Sequence, residues 1–215
     1  MKSKIALAAS ALALSGLAHS ATIDWNQWTS NSTGAIASTP VTITFSGDNA
    51  GGWSNGYPSY GPGTTWADGT VVANAPTGGI VVLTGGNTNV NTVTFSQAVT
   101  NPVFAIWSLG QGGINASFNF IGATPVFVAG GPSNEYSGAP ITVSGNDVFG
   151  REGNGTVEFI GTYTSLSWTN PTYEYWYGFN VGITGVAAAV PEPASMGLML
   201  AGLTLVGLAR RRRTK

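Results

Sequence analysis

The sequence predicts an all-β body, an antiparallel β-sandwich of the jelly-roll or lectin-like kind, with an N-terminal signal peptide before it and a C-terminal transmembrane helix after it. Three observations lead there. Apolar residues alternate with period two along most of the chain, the pattern of strands with one buried face. Glycine- and asparagine-rich turns separate these runs, and 31 Gly in 215 residues is roughly twice the usual share of about 7%. Charged residues make up only 8%, against a globular average of about 25%, which argues against a charge-laced helical bundle. With 43% hydrophobic and 11% aromatic residues, the chain can bury a core, so disorder is a poor description.

At the N-terminus, Lys2 and Lys4 precede an apolar run from Ile5 to Leu17, and Ala18-His19-Ser20 presents small residues just before Ala21. This is the pattern of a secretory signal peptide over residues 1–20, cleaved after Ser20. The alternative, a short uncleaved anchor, has an apolar run below the roughly 20 residues that a spanning helix needs. His19 is the only histidine and the chain has no cysteine, so the mature chain lacks the usual general base and the usual transition-metal ligands. Disulfides, Cys- or His-based catalysis, zinc and His-ligated haem are excluded, and no cofactor or metal is expected.

The body, residues 21–186, is one domain. Its strands are predicted from Val41, Ile43, Phe45; Val93, Phe95; Val103, Ala105, Trp107; Ile114, Ala116, Phe118, Phe120; Val126, Val128; Ile141, Val143; Val157, Phe159; Leu166, Trp168; and Phe179, Val181, Ile183. Turns such as Gly85-Gly86-Asn87 and Gly153-Asn154-Gly155 supply positive φ and side-chain acceptors between them. About ten or eleven short strands follow, with a bulge or turn at Gly161, where the alternation slips. Thr100-Asn101-Pro102 and Thr169-Asn170-Pro171, each followed by a Trp seven residues after the Thr, read as one strand-opening turn used twice or as a duplicated half-sandwich. From Ala21 to Val190 one basic residue, Arg151, faces eight acids, a net charge of −7. Nucleic acid is therefore not an expected partner, because there are too few cations to release phosphate counterions.

Residues 187–215 carry a third kind of pattern. Pro191-Glu192-Pro193 is followed by an uncharged stretch from Met196 to Ala209 and then by Arg210, Arg211, Arg212 and Arg213. The prolines keep the triad extended, and the arginines act as a stop-transfer signal that keeps this end cytoplasmic. A buried core helix is the alternative, and it leaves the arginine end unexplained. These parts, in this order and spacing, resemble the PEP-CTERM sorting signal of Gram-negative bacteria. The resemblance implies that an exosortase, a membrane-embedded cysteine transpeptidase-like enzyme, cuts near the Pro-Glu-Pro triad and passes the body to the cell surface or exopolysaccharide matrix. Segments such as Asn101 to Gly110 and Trp176-Tyr177-Gly178-Phe179 resemble a group of PEP-CTERM proteins, which implies one domain and no particular ligand.

Two aromatic clusters are candidate carbohydrate-binding residues, because flat rings stack on sugar faces: Trp53, Tyr57, Tyr60 and Trp66 in one, and Trp168, Tyr173 and Trp176, with Tyr175 and Tyr177, in the other. The alternative is that they plug the ends of the sandwich. Asp147 with Glu152, or Glu158 with Glu174, are the candidate carboxylate pairs for glycoside hydrolysis, read more simply as surface charge. Gly145-Asn146-Asp147 with Glu152 and Asn154 has oxygen ligands for calcium but not the EF-hand spacing. The expected function is therefore interaction, with no catalytic residue: a protein exported through the Sec translocon and transiently anchored in the inner membrane. Exosortase processing then leaves it at the cell surface or in the extracellular matrix, with a structural or adhesive role linked to exopolysaccharide and biofilm. The alternatives are a carbohydrate-binding module for exopolysaccharide and, third, a secreted hydrolase using two carboxylates.

Overall fold

A computed structural model describes residues 21–48, 52–54 and 60–187. The signal peptide, Tyr57, the Pro-Glu-Pro triad, the apolar stretch after it and the four arginines lie outside the described residues. Among the described residues no helix is long and apolar enough to cross a membrane.

The alternating segments form strands, and all but one of the strand pairings are antiparallel. In chain order the strands are β1 (Asp24–Trp28), β2 (Thr33–Ile36), β3 (Thr42–Ser46), β4 (Trp53–Ser54), β5 (Ile80–Leu83), β6 (Asn91–Thr100), β7 (Val103–Leu109) and β8 (Ala116–Ile121). They continue with β9 (Val126–Gly130), β10 (Ala139–Pro140), β11 (Thr142–Ser144), β12 (Asp147–Gly150), β13 (Gly153–Glu158), β14 (Thr162–Thr169), β15 (Tyr177–Ile183) and β16 (Gly185–Val186). There are more strands than the ten or eleven expected, because pieces of two residues such as β4, β10 and β16 are too short to show a period. The slip near Gly161 is a turn at φ +132°, followed by a register shift between Tyr163 and Ser165.

Two layers face each other. One contains β10, β13, β7, β15 and the start of β1, with β5 and β9 alongside. The other runs from the end of β1 through β2, β3, β6, β14, β8 and β12 to β11. The layers are not separate sheets, which corrects the simple sandwich. β1 pairs with β15 through Asp24 and Trp25, then with β2 through Asn26, Gln27 and Trp28. At the other edge only Ile141 separates β10, paired in parallel with β13, from β11, paired with β12. Both edges thus turn a corner, and the sheet is nearly closed into a barrel. At the β1 corner the neighbouring Gly34 leaves room for the buried Asn26 side chain, which a Cβ there would force to shift.

The main core lies between the layers. Phe104 and Ile106 of β7 and Phe179 and Val181 of β15 meet Phe45, Phe118, Phe120 and Trp168 from the opposite layer. Trp168 crosses Phe179 edge-on at 5.1 Å and stacks on Phe118 at 5.6 Å, while its indole N–H donates to Asn170 at 2.8 Å. A second core covers the outer face of the first layer. There Val103, Ala105 and Trp107 of β7 pack with Ile23, Trp25, Trp66, Val72 and Val128. Every residue of β7 and β15 is therefore buried, so these strands have no wet face. On its outer side β15 uses Gly178 and Gly182, where a Cβ would run into Ile80 and Ile23.

The cover over this outer face is the segment 60–77. Trp66 lies flat on Trp107, with centroids 5.0 Å apart and planes 1° apart, and Tyr60 meets both rings edge-on. The Asn74 amide is clamped to both backbone groups of Ile23, at 2.7 and 2.9 Å. Asp68 folds the turn beneath it by accepting from the N–H groups of Thr70, Val71 and Val72 and from the Thr70 hydroxyl. Partial burial opposes ionisation of Asp68, but these hydrogen bonds prevail and hold its carboxyl at about 2.

Because β7 faces two cores, Phe104→Ala and Trp107→Ala, which empty opposite sides, should each destabilise the protein by about 3–5 kcal/mol in denaturant unfolding. If β7 had one wet face, only one of the two variants would lose stability.

Candidate functional site

The register sorts the charged residues to the two ends of the barrel. Asp24 pairs with Ile183, Gly185 with Thr100, and Glu158 with Val103, so the beginning and end of the described body lie at one end together with Glu158. The other end of β7, roughly 20 Å away at about 3.3 Å per residue, holds a different group of side chains. Glu158 and Glu174 therefore stand at opposite ends, which removes that expected carboxylate pair. Asp147 sits in β12 opposite Asn119.

The distal site is built by a bulge. Leu109 pairs with Gly153 and Ile106 with Gly155, so Trp107 and Ser108 together oppose the single residue Asn154. The extra residue resets the alternation: Trp107 faces the outer core, and Leu109 turns back into the main one. Ser108 takes φ +50°, its N–H donates to Asn154 Oδ1 at 2.9 Å, and its hydroxyl donates to Glu152 Oε2 at 3.1 Å. Glu152 is itself at φ +56°. The Asn154 amide nitrogen holds the surrounding loops through the carbonyls of Gly131, Ser137 and Glu152, at 3.3 Å each. Asn154, included above in a candidate calcium loop, is thus used as an internal brace. Asn146 sits in the β11–β12 hairpin turn, where its side chain accepts from the Thr124 hydroxyl.

Glu174 arrives from the loop before β15, anchored by its N–H on the Thr84 carbonyl at 2.8 Å. It is 3% exposed, and its Oε2 accepts the Gly110 N–H at 2.6 Å. Gly110 adopts φ +77°, and a Cβ there would strike the Gly150 carbonyl, so this donor depends on glycine. Burial pushes the Glu174 carboxyl up to about 8; the Gly110 hydrogen bond opposes the shift, and the charge of Glu152 adds to it. Glu174 therefore holds its proton at neutral pH. Above these groups a cavity of about 150 Å³ opens, with Ser108, Gln111, Glu152 and Glu174 on its polar side. Tyr136, Tyr175 and Trp176 form the aromatic side, the rings of Tyr136 and Trp176 5.7 Å apart.

The aromatic candidates divide. Trp176 lines the cavity, and Tyr173 lies beside it on the surface, 5.9 Å from Tyr175. Trp53 is 39% exposed on β4, where it pairs with Val81 of β5, and it does not line the cavity. Trp66 and Trp168 have 0% exposure and offer no face to a sugar, and Tyr60 is packed against Trp66 and Trp107; these three belong to cores, a correction for each. Ser108, Gln111, Tyr136 and the Glu152–Glu174 pairing were not expected from the sequence. The one local signal was the run Tyr173-Glu174-Tyr175-Trp176, an acid set among aromatics.

Glu174 leads to a pH effect of definite sign. The folded state keeps a proton that the unfolded state releases near the ordinary value of 4.5, so stability falls as pH rises from there to about 8 and levels off above. Glu174→Gln, which retains an acceptor for Gly110, should flatten this slope in melting curves taken across that range. An unchanged slope would assign the proton elsewhere.

Residues 189–213 match the family model described as the PEP-CTERM protein-sorting motif, a span that includes Pro191, Glu192, Pro193 and all four arginines. No curated protein and no solved structure matches the chain significantly. The chain carries a PEP-CTERM protein-sorting motif over residues 189–213, which supports an exported protein sorted by an exosortase.

Proposed function

We propose that the body acts as a structural or adhesive component of the cell surface or extracellular matrix, in contact with exopolysaccharide. One observation carries this reading: Ala21 and Ala187, the neighbours of the two targeting segments, leave the body at one end, and the aromatic-lined cavity opens at the other. A body held by the segment after Ala187 turns its cavity away from the anchoring side. In this reading residues 1–20 direct export through the Sec translocon and are removed. The apolar stretch before Arg210 holds the protein transiently in the inner membrane until an exosortase cuts near Pro191-Glu192-Pro193. The role is interaction without turnover. Both cavity carboxylates already have an oxygen engaged by the body's own donors, the Ser108 hydroxyl and the Gly110 N–H. Carbohydrate binding, the second reading, is favoured by the exposure of Tyr173 and Tyr175 beside the cavity.

The intact mass of protein recovered from the cell surface tests the processing. The expected molecule begins at Ala21 and ends between Val190 and Ser195. Exported material that still ends at Lys215 would overturn it.

A further inference from the structure

We infer that the distal cavity is a binding site for one neutral hexopyranose unit. The inference deepens the reading of the body as an exopolysaccharide-contacting protein and rests on it for the source of the sugar. The cavity's size sets the scale: at about 150 Å³ and open to solvent, it suits one sugar ring, with the rest of a chain outside it. Its chemistry sets the class. A pyranose has a C–H face and a rim of hydroxyls that both donate and accept. The rings of Tyr136, Tyr175 and Trp176 suit the face, and Ser108, Gln111 and the two carboxyl groups suit the rim.

Charge narrows the class further. Among the described residues no basic side chain lines the cavity, and Arg151, the one basic residue between Ala21 and Val190, is directed to the Gly113 carbonyl. A uronate or sulfated sugar would meet the Glu152 carboxylate with nothing to balance it. Glu174, protonated at neutral pH, adds a hydroxyl donor to the polar wall and does not demand a cationic partner. The wall is also preorganised. The bulge aims Ser108, Gly110 fixes Glu174, and Asn154 braces the loops from below, so little side-chain freedom is lost when a ligand enters.

The test uses the exported protein purified from cells, titrated with the methyl glycosides of glucose, galactose, mannose and N-acetylglucosamine and with methyl glucuronide. Ligand-observed NMR and tryptophan fluorescence provide the readout. At least one neutral glycoside should bind in the millimolar range, with methyl glucuronide weaker by about tenfold or more. Trp176→Ala and Gln111→Ala should each weaken binding by about tenfold, and Trp53→Ala should leave it unchanged. Gln111→Ala keeps the test valid if Trp176→Ala unfolds. Absence of binding by all four neutral glycosides, equal binding of the glucuronide, or full binding by Gln111→Ala overturns the inference. Retention of the same variants on the producer's own polysaccharide separates the two readings. Retention that survives the loss of the cavity leaves the adhesive role standing and removes only this site.

Discussion

The structure depends on a sheet layer whose central strands are dry on both sides. β7 and β15 bury every residue, one face against the opposite layer; the outer face of β7 packs on Trp66 and Val72 of the segment 60–77, and that of β15 on Ile80 and Ile23. A large aromatic side chain moved from water to such a place contributes about 1.5–3 kcal/mol, so the stack of Trp66 on Trp107 is a substantial part of what holds the cover down. The same dryness limits where charge can go. A carboxylate in the middle of β7 or β15 would be buried without a partner, and the acids of the body are accordingly found at strand ends and in loops.

That restriction gives the molecule its polarity. At one end are Asp24, Glu158 and the two exits of the chain. At the other the alternation of β7 is broken by an extra residue, and Ser108, Glu152 and Glu174 gather around the break. Ser108 and Glu152 are held in left-handed conformations that L-residues seldom adopt, which persists only because Asn154 and the paired loops over-determine them. The bulge serves the fold and the site together: it returns Leu109 to the main core, and it lifts a hydroxyl into the cavity wall.

Much of this was legible in the sequence, and the rest was hidden for definite reasons. Local, linear signals were read well. The sorting motif has its triad, apolar stretch and arginines in consecutive order, and strands such as β3 alternate buried and exposed residues as their sequence does. In β7 the period-two reading chose Val103, Ala105 and Trp107 as the buried face, although Phe104 and Ile106 are equally apolar. A continuous apolar run such as Val103 to Trp107 is the mark of a doubly buried strand, and alternation alone does not distinguish it from a strand with one wet face. Trp66 and Trp168 looked like loop and cluster aromatics because nothing in the sequence says which loop folds back over a sheet. The two Asn-Pro echoes also part ways: Asn101 opens β7 directly, while Asn170 is buried and begins a loop that reaches Trp176 before β15 starts. Glu152 and Glu174 come from two separate loops that both fasten to Gly110, a tertiary meeting that no spacing rule anticipates.

The double burial of β7 can be measured directly, because the chain has no cysteine and any introduced thiol reports alone. In Ala105→Cys and Ile106→Cys, adjacent residues point their thiols to opposite faces of the strand. Both thiols should resist a water-soluble thiol reagent in the native protein and react fully once it is unfolded. Protection of one with free reactivity of the other in the native state would mean that β7 has a wet face, and would contradict the account from which both ends of the molecule are derived.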